Sequence, residues 1–363
     1  MSGFLDRLLS RRQAATVPSM DGVLRPNDAL DHGRVIATAP EADNLAVHGA
    51  MLVYSDGHDI LGISPGQPGA RLHRLEGAVT ALAAADGALA AGIEGAGIRI
   101  IGGPHDGMLL KEIGGRPARC VTALAWGGTG ILYAALGSAQ NEARDWQRDL
   151  MEMRATGSVW RIELGKGAVC LADHLAFPNG VLVQGEKLIV SESWAHRLLR
   201  LDAVKKSERR EIVLEDLPGY PGRLAAMAGG GAWLAIFAPR SQLIEFVLRE
   251  TTYRKRMLRE VPQDLWIAPT YRAGASFQEP MQGGAVKVHG IFKPWAPTRS
   301  YGLAVELDAG LAPVRSFHSR ADGNRHGIVS ACRWGNEIVF ASRGNGVIGA
   351  LPAPGSQVEG QSR

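Results

Sequence analysis

Six scattered residues carry most of the chemistry that this sequence offers: Glu41, Arg119 beside Cys120, Asn179, Arg223 and His326. His326, in Asn324-Arg325-His326-Gly327, brings an imidazole that titrates near neutral pH and can take a proton from water or from a substrate hydroxyl. The alternative for it is a ring satisfied by loop backbone. Arg223 brings a permanent planar cation, suited to orienting an anionic group on a substrate. Arg119 and Cys120 are candidates for lining the same substrate site. Asn179 stands before Gly180, and Asn-Gly is also a good turn former, so its amide serves either a turn or a ligand. Glu41 is a carboxylate for a cation or an ordinary surface side chain. His318 and His174 are weaker candidates on neighbouring loops. GxSxG, HExxH and GxxxxGK[ST] patterns do not occur, which leaves serine-hydrolase, zincin and P-loop chemistry without support.

These residues are far apart in the chain, so a fold must gather them. The 46 Gly and 19 Pro are dispersed, as expected for short strands joined by many tight turns. Residues 179–217 read as four strands, at 181–183, 188–191, 197–201 and 211–214, with spacing that suits antiparallel pairing. Comparable units begin near Asn44, 78, Val121, Gly222 and Ile328, a period of about 40 residues that marks propeller blades. The expected fold is all-β: a six-bladed β-propeller of four-stranded antiparallel blades over residues 32–352. Residues 1–31 form an N-terminal extension and 353–363 a tail. The last unit holds three strands, and residues 34–38 should supply the fourth and close the ring. Two insertions break the rhythm. Residues 138–157 read as a loop with a helical turn. Residues 241–299, inside blade five, are partly helical, with Phe246, Leu248, Tyr253, Met257 and Val261 near helical spacing. A long insertion of this kind is expected to form a lid over the tunnel. In a propeller, the inner strands all start at one tunnel mouth, which would bring the candidate residues together.

LAFPNGVLV with IVSESWAHRLLRL (175–201), the segment 217–246, KPWAPTRSYGLAVELDAGLAPVRSFHS (293–319) and GNEIVFASRGNGVIGAL (335–351) resemble strictosidine-synthase-like propellers. That family is related to the gluconolactonase/regucalcin and paraoxonase groups. The resemblance implies a hydrolase acting on a lactone or ester at the mouth. It also implies a divalent metal, calcium foremost, held there by Asn179 and Glu41. One departure stands out: relatives read Gly-Tyr-Pro-Asp-Asn where this chain has Gly219-Tyr220-Pro221-Gly222-Arg223. Gly222 thus replaces a carboxylate and a cation stands beside it, which weakens any metal site. The alternatives are a non-catalytic binding or scaffold propeller and, third, a condensing enzyme. The condensing reading is disfavoured because residues 327–334 hold no Asp or Glu.

The resemblance implies a small-molecule substrate as partner, and charge and cysteine usage bear on what else the chain meets. A net charge of +4 without a basic run that interleaves aromatics argues against nucleic acid. Cys120, Cys170 and Cys332 are too few and too scattered for a disulfide framework, which suits a reducing, cytoplasmic setting. No run approaches the roughly 20 apolar residues of a membrane span. Phe4, Leu5, Leu8 and Leu9 with Arg7, Arg11 and Arg12 suggest at most a weak peripheral membrane contact.

Overall fold

A computed structural model of the chain describes residues 17–353, apart from 86, 207–209, 275–278, 281–286, 289–290 and 293–297. Six four-stranded antiparallel sheets follow one another as blades. Blade one is Ala42–His48, Met51–Asp56, Asp59–Ile63 and Ala70–Arg74, and blade two is Val79–Ala85, Ala88–Ile93, Gly97–Gly102 and Leu109–Leu110. Blade three is Val121–Trp126, Ile131–Leu136, Gly157–Glu163 and Gly167–Leu175, and blade four is Pro178–Gln184, Lys187–Glu192, Arg197–Asp202 and Glu211–Leu214. Blade five is Gly219–Ala226, Ala232–Pro239, Gly302–Leu307 and Pro313–Ser319. Blade six combines Ile328–Trp334, Glu337–Ser342 and Val347–Pro352 with Arg34–Thr38 from the start of the chain. The first strands of the six sheets touch one another in a closed cycle and form the wall of a central tunnel.

Alternation of side chains along each strand explains why the blades must stack. In blade four, Leu188 and Val190 are buried against blade three while Ile189, between them, is buried against blade five. Each sheet is therefore apolar on both faces and needs two neighbours. The chain-terminal strand completes the ring as expected: Arg34 lies opposite Ala350 and Thr38 opposite Val347. Outside the ring, residues 17–33 run along the outer strand of blade five. Asn27 exchanges hydrogen bonds with the Ser316 carbonyl (3.0 Å) and the His318 N–H (3.0 Å), and Ser319 donates to Asp31 at 2.7 Å. This contact covers a sheet edge that would otherwise present unpaired backbone.

The insertions are helical in part; the second also holds a short strand pair, Lys287–Val288 with Ile291–Phe292. Trp146–Glu152 is a short helix in the first, and Gln242–Arg249 and Thr251–Glu260 lie in the second. The break at Glu250 (φ −78°, ψ 76°) divides what the sequence spacing suggests is one helix. In consequence Ile244, Val247, Leu248 and Met257 face the core, while Phe246 and Tyr253 turn outward. No described helix is long and apolar enough to cross a membrane.

Candidate functional site

All six inner strands are irregular at the same end. Their pairing with the second strand slips between Asp43 and Ala46, Val79 and Ala81, Val121 and Ala123, Pro178 and Gly180, Pro221 and Leu224, and Ile328 and Ser330. A bulge leaves an unpaired residue whose side chain is re-aimed, and bulges gather beside binding sites for that reason. Here the residues released include Asn44, Thr80, Thr122, Asn179, Arg223 and Val329. Five of them, all but Asn44, line a single cavity of about 330 Å³ at the tunnel mouth.

Arg223, from blade five, reaches across the tunnel and forms the floor of this cavity. Its Nε donates to Asn44 Oδ1 at 2.7 Å, its Nη2 to the Thr80 carbonyl at 2.7 Å, and its Nη1 lies 3.1 Å from Asp43 Oδ1. Asn44 is held for this task in the left-handed region (φ 57°), where asparagine is tolerated better than most residues. Its amide nitrogen donates to Ser55 Oγ at 2.9 Å, which turns Oδ1 toward the guanidinium. The other oxygen of Asp43 accepts from Arg343 Nη1 at 3.2 Å, and Arg343 Nη2 is 3.8 Å from Glu41. One buried carboxylate thus bridges two guanidinium groups. Arg223 spends all three nitrogens on the protein. Among the described residues Arg343 makes fewer hydrogen bonds than Arg223, and it lies over the Tyr271 ring, 5.4 Å from its centroid.

Four aromatic side chains, Trp146, Phe177, Phe237 and Tyr271, also line the cavity. Trp146 packs edge-on against Phe237 (centroids 5.4 Å apart) and tilted against Tyr271 (5.1 Å), while Phe177 stacks on Trp194 at 4.5 Å. Trp194 Nε1 donates to the buried Asp149 at 2.9 Å, and Asn141 donates to the same carboxylate at 3.0 Å. Burial pushes the Asp149 carboxyl above its usual range. The helix Trp146–Glu152 and the residue Tyr271 come from the two insertions, so each insertion contributes a side chain to the cavity lining.

Of the residues expected from sequence, Glu41, Asn179 and Arg223 line this cavity. Arg119, Cys120 and His326 are not among its lining residues. Arg119 points elsewhere, 3.1 Å from Glu142. Cys120 is buried in the apolar cluster with Phe177, where loss of hydration pushes its thiol up, away from reactivity. His326 is 5% exposed, with Nδ1 2.8 Å from Ser300 Oγ and Nε2 2.7 Å from the Arg320 carbonyl. With both nitrogens engaged, the alternative of a loop-satisfied ring is the one realised. In blades one, three and six the bulged residue lies two or three positions beyond Glu41, Cys120 and His326. Asp43, Thr80, Thr122, Trp146, Tyr271 and Arg343 were missed.

A divalent ion does not fit this donor set. Calcium wants six to eight oxygen ligands, yet Asn44 Oδ1 and Asp43 Oδ1 already accept from the Arg223 guanidinium. Gly222 supplies no ligand. Among the described residues no group of three His, Cys, Asp or Glu side chains is placed to hold a metal.

Compared with models of known protein families, the chain matches none. Curated proteins give partial matches. It is 28% identical over 193 residues to Protein STRICTOSIDINE SYNTHASE-LIKE 2 of Arabidopsis thaliana, covering 50% of this chain and 45% of the relative. It is 24% identical over 208 residues to the adipocyte plasma membrane-associated protein of Danio rerio, covering 55% and 42%. The match therefore spans less than half the length of these curated relatives. Among solved structures, a gluconolactonase from Xanthomonas campestris superposes with a TM-score of 0.55 at 14% identity, covering 87% of each chain. A luciferin-regenerating enzyme gives 0.52 at 12% identity, covering 90% and 94%. Likeness at such identity speaks for the fold alone. The chain is a six-bladed β-propeller similar in sequence to strictosidine-synthase-like proteins and in fold to gluconolactonase.

Proposed function

We propose that this protein binds a lactone- or ester-type small molecule in the capped tunnel mouth and hydrolyses it without a metal ion. The observation that carries the reading is Arg343, a guanidinium oriented by Asp43 and Tyr271, lining a cavity that aromatic side chains also line. A ring or apolar body would pack on Trp146 and Phe237 while its carbonyl oxygen accepts from Arg343. A fixed cation aimed at an oxygen that gains charge is a strong catalytic device, because it needs no reorganisation as the charge develops. Glu41, at the rim 3.8 Å from Arg343 Nη2, is the carboxylate placed to take a proton from water. The hydroxide adds to the carbonyl carbon, Arg343 stabilises the tetrahedral oxyanion, and the departing alkoxide takes the proton back from Glu41.

The test is turnover of a panel of lactones and aryl esters in the presence of chelator. Arg343→Gln should lower kcat by about 10²–10³, the cost of losing one oxyanion donor. A second reading, ligand binding without turnover, is favoured by the engagement of every Arg223 nitrogen and both His326 nitrogens with the protein. It predicts saturable quenching of Trp146 fluorescence with no product. Neither turnover nor quenching by any member of the panel would sink both readings.

A further inference from the structure

Arg223 does something beyond lining the ligand site. Its three nitrogens meet Asp43 and Asn44 of blade one and the Thr80 carbonyl of blade two, although the residue itself belongs to blade five. Asp43 then passes the connection to Arg343 in the turn between the second and third strands of blade six. Four of the six blades are thereby tied at one point on the tunnel axis. The Asp43 side chain is 7% exposed and that of Arg223 16%. Below this point lies a separate small cavity of about 40 Å³, and Arg223 is the one residue of those lining it that also lines the mouth. The guanidinium therefore stands in the tunnel as a partition as well as a cross-link.

We infer that Arg223 is a built-in cation, doing for this propeller the blade-linking work that a bound divalent ion would do. A dication at the centre of a ring of oxygen donors holds separate blades in register by drawing their oxygens inward. A guanidinium can do the same in one plane, because its five N–H groups point outward in a fixed fork. In this chain the three acceptors it reaches are a carboxylate, a side-chain amide and a backbone carbonyl, the oxygen types that calcium also takes. The exchange has a second half. A side chain at position 222 would start with its Cβ 3.7 Å from Asn179 Nδ2 and 3.3 Å from Phe237, on backbone that any residue adopts. A carboxylate placed there would reach the same centre, which glycine leaves to the guanidinium alone.

The experiment compares thermal unfolding of the full chain and three variants with calcium chloride added or chelator present. The wild type should unfold at the same temperature in both. Arg223→Lys should fall nearly as far as Arg223→Ala, because an ammonium cannot reach three acceptors in one plane. The folded-to-unfolded ratio should drop on the order of a hundredfold in each, the cost of leaving a buried carboxylate with one partner fewer. The double variant Gly222→Asp with Arg223→Asn should regain stability only with calcium, by about a hundredfold when calcium is a hundred times its dissociation constant. This variant keeps the test open if the single substitutions fold poorly. Calcium stabilisation of the wild type, an unchanged Arg223→Lys protein, or a double variant indifferent to calcium would each overturn the inference.

Discussion

Asp43→Asn keeps the shape of the side chain that joins Arg223 to Arg343 and removes its charge. The carboxylate accepts from Arg223, Arg343 and the Asn44 N–H (2.7 Å). An amide offers one oxygen to these donors and turns its own N–H groups on a guanidinium. Breaking a buried pair by removing one partner costs 3–5 kcal/mol. The Arg343 side chain is 31% exposed and recovers some hydration, so the lower end, about 3 kcal/mol, is the appropriate figure. Spread over the unfolding entropy of 363 residues at about 2.1 cal/mol/K each, this becomes a fall in Tm of about 4 °C. Scanning calorimetry at neutral pH measures it. Repeating the scan in 1 M salt separates a buried network, which salt screens little, from a surface pair, whose contribution would vanish. A shift below 1 °C, or one abolished by salt, would refute the description of the mouth as a desolvated ion network.

Other expectations are independent of this one. His318 is fully buried between Tyr301 and Ser316, and burial lowers its pKa to about 4. The unfolded chain therefore binds a proton between pH 6.5 and 4 that the folded chain refuses. The contribution of His318 should be flat above pH 6.5 and fall by up to about 3 kcal/mol as pH drops through that window. Urea midpoints across pH would show this, and a flat profile would contradict it. Glu245, in the first helix of the blade-five insertion, lies 3.4 Å from His196 and 3.3 Å from Arg240. Glu245→Gln should expose 242–260 to limited proteolysis while the blades stay resistant; equal cleavage of both proteins would count against the anchor. Trp146→Ala removes one of the four aromatic side chains in the lining and should abolish ligand-induced fluorescence change at a stability cost of about 3–5 kcal/mol. Retained tight binding would place the ligand elsewhere.

The blades were readable in the sequence because their signal is local. Strands of alternating apolar residues and positive-φ turns such as Gly185 (φ 60°) recur at a fixed period, and each turn depends only on its own few residues. Closure by residues 34–38 followed from counting strands. The site was half readable. Asn179 and Arg223, which line the cavity, stand out in the sequence because they sit beside a distinctive Pro and Gly pattern. Asp43 was passed over for its neighbour Glu41, since nothing in Glu41-Ala42-Asp43-Asn44 says which carboxylate the bulge turns inward. Arg343 was hidden in Ser342-Arg343-Gly344-Asn345-Gly346, which reads as a plain turn; its role exists only because blade six meets blade one there. Trp146 and Tyr271 come from insertions with no repeat to place them. Contacts between blades decide these positions, and a single strand's sequence does not contain them. His326 failed for the reverse reason: the chemistry of the residue type was right, but its loop supplies two hydrogen-bond partners of its own.

The guanidinium of Arg223 lies in the tunnel mouth, bonded to oxygens of blades one and two. The most direct measurement is a crystal structure of the wild-type protein grown with excess manganese and recorded at the manganese absorption edge. Arg223 should be found bonded to Asp43, Asn44 and the Thr80 carbonyl, with no anomalous peak among them. A peak between Asp43 and Asn179, with the Arg223 side chain displaced from Asp43, would contradict it.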